Sequence, residues 1–345
     1  MNLYNYAIFI GRFQPFHVGH LYNVQRSLSI SQKVIIIIGS VLRAPSIKNP
    51  FSFNMRKQMI IDDLSYAKID LTRIIIESVC DWLYDKKKWK DTVHSKVYQY
   101  ARIEDIVAIV GHKKDASSYY LNYFPDWQYI SIGNYKELCS THFRKSYFTK
   151  GKILIGYMIS HKSDQGTFKA LVKFKKVKVF QTLRKEYRIA LAYSNYWQSK
   201  ILQPIFVTLN SMVVINYKIL LIQRKYPPAQ GLWGFPGGYL EQQECIIDGI
   251  FHKLFKNTKL NVSRKYLEKN HYETCVFDGF DRSSISRMVT HLGLFIINGI
   301  DLPIVTAGDN AKVAKWFDIS TICKRMSAQL TDGHYQIIRY VLNKY

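Results

Sequence analysis

His17 and His20 stand three residues apart with Gly19 between them, directly after Gly11-Arg12-Phe13-Gln14-Pro15-Phe16. At helical spacing both rings lie on one face of a first turn. An imidazolium N–H aimed from there at a phosphate stabilises the charge that builds during phosphoryl or nucleotidyl transfer. Arg12 lies alongside in sequence, and Gly19 lets a ligand approach the backbone closely. A second polar group, Ser140-Thr141-His142-Phe143-Arg144, reads as a helix start with Ser140 at the N-cap, its following N–H groups facing an anion.

These residues need a frame. Tyr6 to Ile10 is an apolar run that predicts a buried first strand, and a helical pattern begins near His20. Strand, glycine turn and helix N-terminus form an anion site, because free N–H groups and the positive dipole end point the same way. Lys33 to Ser40 is β-branched almost throughout and predicts a central parallel strand covered on both faces. Two such strands around an amphipathic helix make a βαβ unit. Ligands of open α/β sheets sit beyond the strand C-termini, which places Gly11 to His20 and Gly39-Ser40 beside one crevice. Leu71 to Ile76 predicts a third strand, and Ile106 to Val110 a fourth ending at Gly111. Apolar residues at helical spacing predict a helix from Val177 to Trp197, with a boundary near residue 200, before Pro204. Beyond it, Val207 to Ile215 and Lys218 to Gln223 read as two strands joined by a turn.

The 345 residues suit about two domains. A net charge of +24 favours anionic partners. The lysines are scattered, with no arginine-rich arm, which argues against a dedicated nucleic-acid binder. The five cysteines form no CxxC pair or disulfide framework. With no signal-peptide pattern and no run long enough to span a bilayer, the expectation is a cytoplasmic protein without a membrane partner. A homo-oligomer is left open.

The Gly11–His20 run resembles the HxGH signature of the nucleotidyltransferase superfamily. Its longer form, GRFQPFHxGH, is similar to the nicotinamide mononucleotide (NMN) adenylyltransferase branch. The resemblance implies that His17 and His20 hold ATP phosphates while Arg12, Lys48 and Arg144 neutralise developing charge. Lys48 matches the basic residue before Asn-Pro-Phe, and Ser140, Thr141 and Arg144 match the second superfamily signature. Gly111-His112-Lys113-Lys114-Asp115 resembles the segment bordering adenosine in the bacterial bifunctional branch. Gly11, Phe13, Gly19, Gly111, Lys114, Asp115, Ser140 and Thr141 are then the expected ATP and adenosine residues. Gly39, Ser40, Asp85 and Trp89 are the expected NMN residues, with Trp89 stacking on the nicotinamide ring as a cation–π partner. The family has Asn-Asp between the Tyr and the Trp, where this chain has Asp85-Lys86. Magnesium is expected to ride on ATP, with no protein metal ligand.

Gly231-Leu232-Trp233-Gly234-Phe235-Pro236-Gly237-Gly238 resembles the run that precedes the box of the Nudix hydrolases, specifically the ADP-ribose pyrophosphatase domain fused to NMN adenylyltransferases. The box pattern is Gx5Ex7REUxEExGU, with U a bulky aliphatic. Gly238 and Glu244 fit it, and Glu241 stands nearby. Lys253, Lys256 and Asn257 replace the three glutamates, and Lys259 the glycine. Those carboxylates hold hard divalent ions, whereas a charged lysine repels them. Leu254 and Leu260 keep their apolar positions, so the fold is expected to persist with little or no ADP-ribose hydrolysis. A lysine-rich pocket that binds an anionic ligand such as ADP-ribose without metal is a further expectation.

The expected architecture is α/β: an N-terminal Rossmann-like HxGH nucleotidyltransferase domain (1–170), a connecting helix or linker (171–203) and a C-terminal α+β Nudix-fold domain (204–345). The expected reaction joins ATP and NMN into NAD and pyrophosphate. The alternatives are nicotinic acid mononucleotide as the main substrate, a bifunctional enzyme that still hydrolyses ADP-ribose, another HxGH transfer on a pantetheine or cytidyl substrate, and a non-catalytic nucleotide sensor or nucleic-acid binder.

Overall fold

The computed structural model describes residues 3–112, 121–133, 135–158, 166–198, 204–280, 282–283, 285–299, 301–331 and 333–344. The chain forms two compact units: Met1–Val41 with Ile47–Tyr187, and Leu42–Ser46 with Arg188–Tyr345. Among the described residues no helix is long and apolar enough to cross a membrane.

The first unit holds five parallel strands: β1 (Tyr4–Gly11), β2 (Ser31–Val41), β3 (Ile74–Cys80), β4 (Val107–Gly111) and β5 (Gln128–Ser131). Their order is β3-β2-β1-β4-β5. The chain moves outward from β1 through β2 to β3, then returns to the other side of β1. The crevice of such a sheet opens where the order reverses, between β1 and β4. Gly11 and Gly111 end those two strands.

Alternation along the strands covers both faces. Ala7, Phe9, Val34, Ile36 and Ile38 enter one core with α1 (Val18–Ile30), α2 (Phe53–Tyr66) and α4 (Ser140–Lys150). Ile8, Ile10, Ile35 and Ile37 enter the other with α3 (Lys86–Val97). The third strand starts later than its sequence suggests, since Leu71–Arg73 forms a 3-10 turn capped by Asp70.

The helix expected from Val177 to Trp197 is α6 (Lys178–Gln198); α5 (Gly166–Phe174) precedes it, and Leu171, Phe174, Phe180 and Leu183 are buried in the first core. Part of the 171–203 stretch is therefore a packed layer. Asp63 of α2 holds the start of α5: its carboxylate accepts from the Thr167 N–H at 3.0 Å and the Thr167 hydroxyl at 2.6 Å. Burial raises the Asp63 pKa to about 6, although the bonds from Thr167 oppose the shift.

A raised acid pKa leaves stability full below the unfolded value near 3.8 and lost as pH rises to about 6. The span corresponds to roughly 3 kcal/mol. Asp63→Asn keeps an acceptor for the Thr167 N–H and carries no charge. It is expected to melt with the wild type at pH 4 and above it at pH 7. A wild type more stable than the variant at pH 7 would contradict this assignment.

The second unit contains β6 (Phe206–Ile215), β7 (Lys218–Arg224), β8 (Trp233–Gly234), β9 (Gly237–Tyr239), α7 (Ile246–Thr258), α8 (Arg264–Lys269), β10 (His271–Phe277), β11 (Met288–Ile297), β12 (Ala311–Asp318), α9 (Ile319–Arg325) and α10 (His334–Lys344). The main sheet runs β10-β11-β6-β7-β12, with β8 on β7 and β9 on β6. β6 and β11 pair in parallel, and the other pairs are antiparallel. Asn216 and Tyr217, at φ 46° and 60°, form the two-residue turn between β6 and β7. Ile250, Phe251 and Leu254 of α7 pack on Leu209, Val213 and Phe295. The whole is an α/β first unit followed by an α+β second unit.

Candidate functional site

His17 is the N-cap of α1, in extended conformation, and His20 lies one turn in. Their rings stack with centroids 3.6 Å apart. His17 is buried, with Tyr157 edge-on at 5.9 Å. His20 packs against Phe16 at 5.5 Å and the edge of Phe13 at 5.0 Å. The His17 backbone N–H donates to His20 Nδ1 at 3.2 Å. A nitrogen that accepts carries no proton, so the neutral ring has its proton on Nε2. Burial, then the adjacent His17, hold the His20 pKa well below the usual histidine value. Where an imidazolium was expected, the packing favours a neutral His20, because charge is costly in that buried stack.

Gly19 also has a packing reason. A Cβ there would lie 3.1 Å from the His17 ring, so glycine makes room for the imidazole. Arg12 is exposed, and Lys48 is half-buried. Gly39 and Ser40 lie near the end of β2, just before Val41; Ser40 has φ 52°, and its N–H donates to Asp81 Oδ1 at 3.2 Å.

Two residues outside the expected set join these loops. Arg56 of α2 is buried, and its Nη1 donates to the carbonyls of Arg12 and Gly39, each at 2.7 Å. Its Nη2 donates to the Ser40 carbonyl at 3.3 Å. One guanidinium thus fixes the ends of β1 and β2 against each other. Gln14 is buried too: its Nε2 donates to the Phe51 carbonyl and its Oε1 accepts from the Phe51 N–H, both at 3.0 Å. That pair ties the histidine loop to the segment carrying Lys48. The sequence signal for Gln14 was its place inside the signature; for Arg56 it was a cation in an otherwise buried helical stripe.

α4 begins one residue earlier than expected: Cys139 occupies the N-cap, and Ser140 is the first helical residue. Ser140 Oγ donates to the Pro15 carbonyl at 3.3 Å. Arg144 is buried, donating to the Gln14 carbonyl at 2.8 Å and to Thr141 Oγ1 at 3.1 Å. Ser140, Thr141 and Arg144 therefore adjoin the histidine loop. Asp85 caps α3 by accepting from the Lys88 N–H at 2.8 Å. Trp89, half-buried, meets Tyr123 at 6.3 Å and Phe124 at 6.0 Å. Gly111 lies at the end of β4, where its carbonyl accepts from the Tyr129 hydroxyl at 3.3 Å. Lys114 and Asp115 lie outside the described residues.

In the second unit, the ammonium of Lys253 bonds to Glu241 Oε1 and lies 3.2 Å from Glu244 Oε1. His252 Nδ1 is 3.1 Å from Glu244 Oε2. Asn257 Oδ1 accepts from the Gly237 N–H at 2.8 Å, and Lys256 pairs with Asp309 at 3.5 Å. Gly238 lies against the Lys253 chain, a Cβ there standing 3.4 Å from Cδ. Lys259 takes the left-handed C-cap of α7, φ 42°, a conformation that favours the pattern's glycine. Lys253 and Lys256, the lysines expected to favour an anionic ligand, each face a carboxylate here. The donor set does not fit a divalent ion either, since a buried ammonium lies on both glutamates.

A cytidylyltransferase-like family model matches residues 8–146. A nicotinamide/nicotinic acid mononucleotide adenylyltransferase from Acinetobacter baylyi is 36% identical over 189 residues, which are 54% of this chain and 96% of the relative. A bifunctional NMN adenylyltransferase/ADP-ribose pyrophosphatase from Francisella tularensis superposes with a TM-score of 0.96 and 42% identity over 99% of both chains. Its complex with AMP and a manganese ion gives 0.95 and 41%, again over 99% of both chains. Matched end to end, with an HxGH crevice in one unit and an altered Nudix box in the other, this nucleotidyltransferase belongs to the bifunctional NMN adenylyltransferase/ADP-ribose pyrophosphatase family.

Proposed function

We propose that the first unit transfers the adenylyl group of ATP to NMN, giving NAD and pyrophosphate. A phosphate oxygen of NMN attacks the α-phosphorus of ATP, and the bond to the bridging oxygen breaks as pyrophosphate leaves. The observation that carries this reading is the stacked pair of His17, at the N-cap of α1, and His20 one turn in, with the His17 N–H on His20 Nδ1. Positioning and charge stabilisation are sufficient for such a displacement. His17 and His20 hold the triphosphate. Arg12, Lys48 and Arg144 offset its developing charge, magnesium arrives with ATP, and Gly11, Phe13, Gly111, Lys114 and Asp115 frame the adenosine.

Gly39, Ser40, Asp85 and Trp89 form the NMN side. NMN is taken over nicotinic acid mononucleotide because the signature of the first unit is that of the NMN branch. The test is kcat/KM for each with Mg-ATP. NMN is expected to lead by about tenfold; a lead for the acid would reverse the assignment, and no dinucleotide from either would remove it.

The second unit, in this reading, does not hydrolyse ADP-ribose. Lysine at position 253 and asparagine at 257 supply internal contacts where the pattern has metal-binding carboxylates. The five cysteines are free thiols, as suits a cytoplasmic protein.

A further inference from the structure

The replacements in the Nudix box have partners. Asn257 is buried and fixes the Gly237 backbone, while Lys256 meets Asp309 at the surface. Lys253 is the informative one. Its side chain is 8% exposed, yet it ends at two carboxylates, one of them well solvated. The ligand atoms of Glu241, Glu244 and His252 lie within 4.8 Å of one another, the spacing of a cation-binding cluster. Glu244 Oε1 also accepts from the Glu241 N–H at 2.9 Å, so the turn that carries both acids is built around this point.

We propose that the Lys253 ammonium is the resident cation of this cluster, a tethered replacement for a divalent ion that holds Glu241 and Glu244 together. The second unit then needs no metal for stability. Two carboxylates brought together repel unless a positive charge lies between them. An ion supplies that charge by mass action, whereas a side chain supplies it permanently. Both glutamates are held below the usual carboxylate range. For Glu241 the cause is the Lys253 bond; for Glu244, burial works the other way and is outweighed by bonds from Glu241 N–H, His252 and Lys253. The inference shares with the function proposed above the loss of metal ligands, but it is tested by melting rather than by products.

The test is thermal unfolding of the full chain, without nucleotide, in EDTA and in millimolar manganese chloride. Wild type and Lys253→Arg are expected to melt alike in both. Lys253→Met, similar in volume but uncharged, is expected to melt about 5 °C lower in EDTA and to recover most of that in manganese. Adding Glu244→Gln to Lys253→Met is expected to abolish the recovery. If Lys253→Met does not fold in EDTA, Lys253→Glu purified in manganese is expected to hold one bound ion by electron paramagnetic resonance, and wild type none. Three outcomes overturn the proposal: a manganese shift in wild type as large as in Lys253→Met, a destabilised Lys253→Met that manganese does not restore, and a Lys253→Met as stable as wild type in EDTA.

Discussion

Replacing His20 by alanine is expected to lower NAD formation by about 10²–10³-fold, the usual cost of losing one placed donor to a developing charge. The geometry allows a sharper experiment than alanine. His20 has two nitrogens with different parts to play: Nδ1 accepts from the His17 N–H and holds the loop, which leaves Nε2–H as the donor for a phosphate. Asparagine places its carbonyl near Nδ1, and glutamine places its amide near Nε2. His20→Asn is expected to keep the loop and lose most of the rate. His20→Gln is expected to retain more rate at some cost in stability. Because burial and His17 hold the His20 pKa well below the ordinary histidine value, the ring stays neutral through neutral pH. The rate is therefore expected to show no histidine-like loss between about pH 6.5 and 8 from this group. An alanine variant with near-normal turnover would remove His20 from the reaction.

The second large effect is expected at Arg56, which touches no reacting atom and acts by position. Its guanidinium supplies donors to the carbonyls of Arg12, Gly39 and Ser40. Burial lowers its pKa to about 10, with Asp81 opposing the shift, so it stays charged at neutral pH. Arg56→Met leaves those carbonyls without their donor and is expected to cost roughly 3 kcal/mol. The β1 and β2 ends then lose their fixed spacing, and turnover is expected to fall by about 10²-fold, as for a 1 Å misplacement of reactants. Arg56→Lys keeps the charge but not the fork that reaches two strand ends at once. It is expected to recover stability more than rate. Added guanidinium is expected to raise the rate of Arg56→Ala, a rescue that a purely structural defect would not show. Equal recovery of rate and stability by lysine would contradict the positioning role.

The site was legible where chemistry and chain spacing coincide. Gly11 to His20 carries its own geometry, a strand end, a tight loop and a helix start, so its placement needed no distant residue. The β-branched run of β2 was legible for the same reason. Arg56 and Asp63 were not. Their partners lie 44 and 104 residues away, and a lone buried cation or acid in a helix announces no partner. The neutrality of His20 was hidden because it depends on packing by Phe13, Phe16 and His17. β5 and α5, of four and nine residues, are too short for periodicity to be decisive. At Lys253 the loss of a carboxylate was plain from the pattern, but its bond to Glu241 and Glu244 was not. The pattern alone therefore pointed to a cation that repels metal and could favour an anion, with no sign of the carboxylates it meets.

The central claim is one working transferase site beside a Nudix box that does no hydrolysis. One preparation of the full chain, divided between Mg-ATP with NMN and ADP-ribose with magnesium or manganese, tests it by chromatography of the products. The account predicts NAD and pyrophosphate from the first and no AMP above the uncatalysed background from the second. AMP released from ADP-ribose in a metal-dependent way, and abolished by Glu244→Gln, would contradict it. That result would show Lys253 to be displaced by a metal ion, and the second site to be alive.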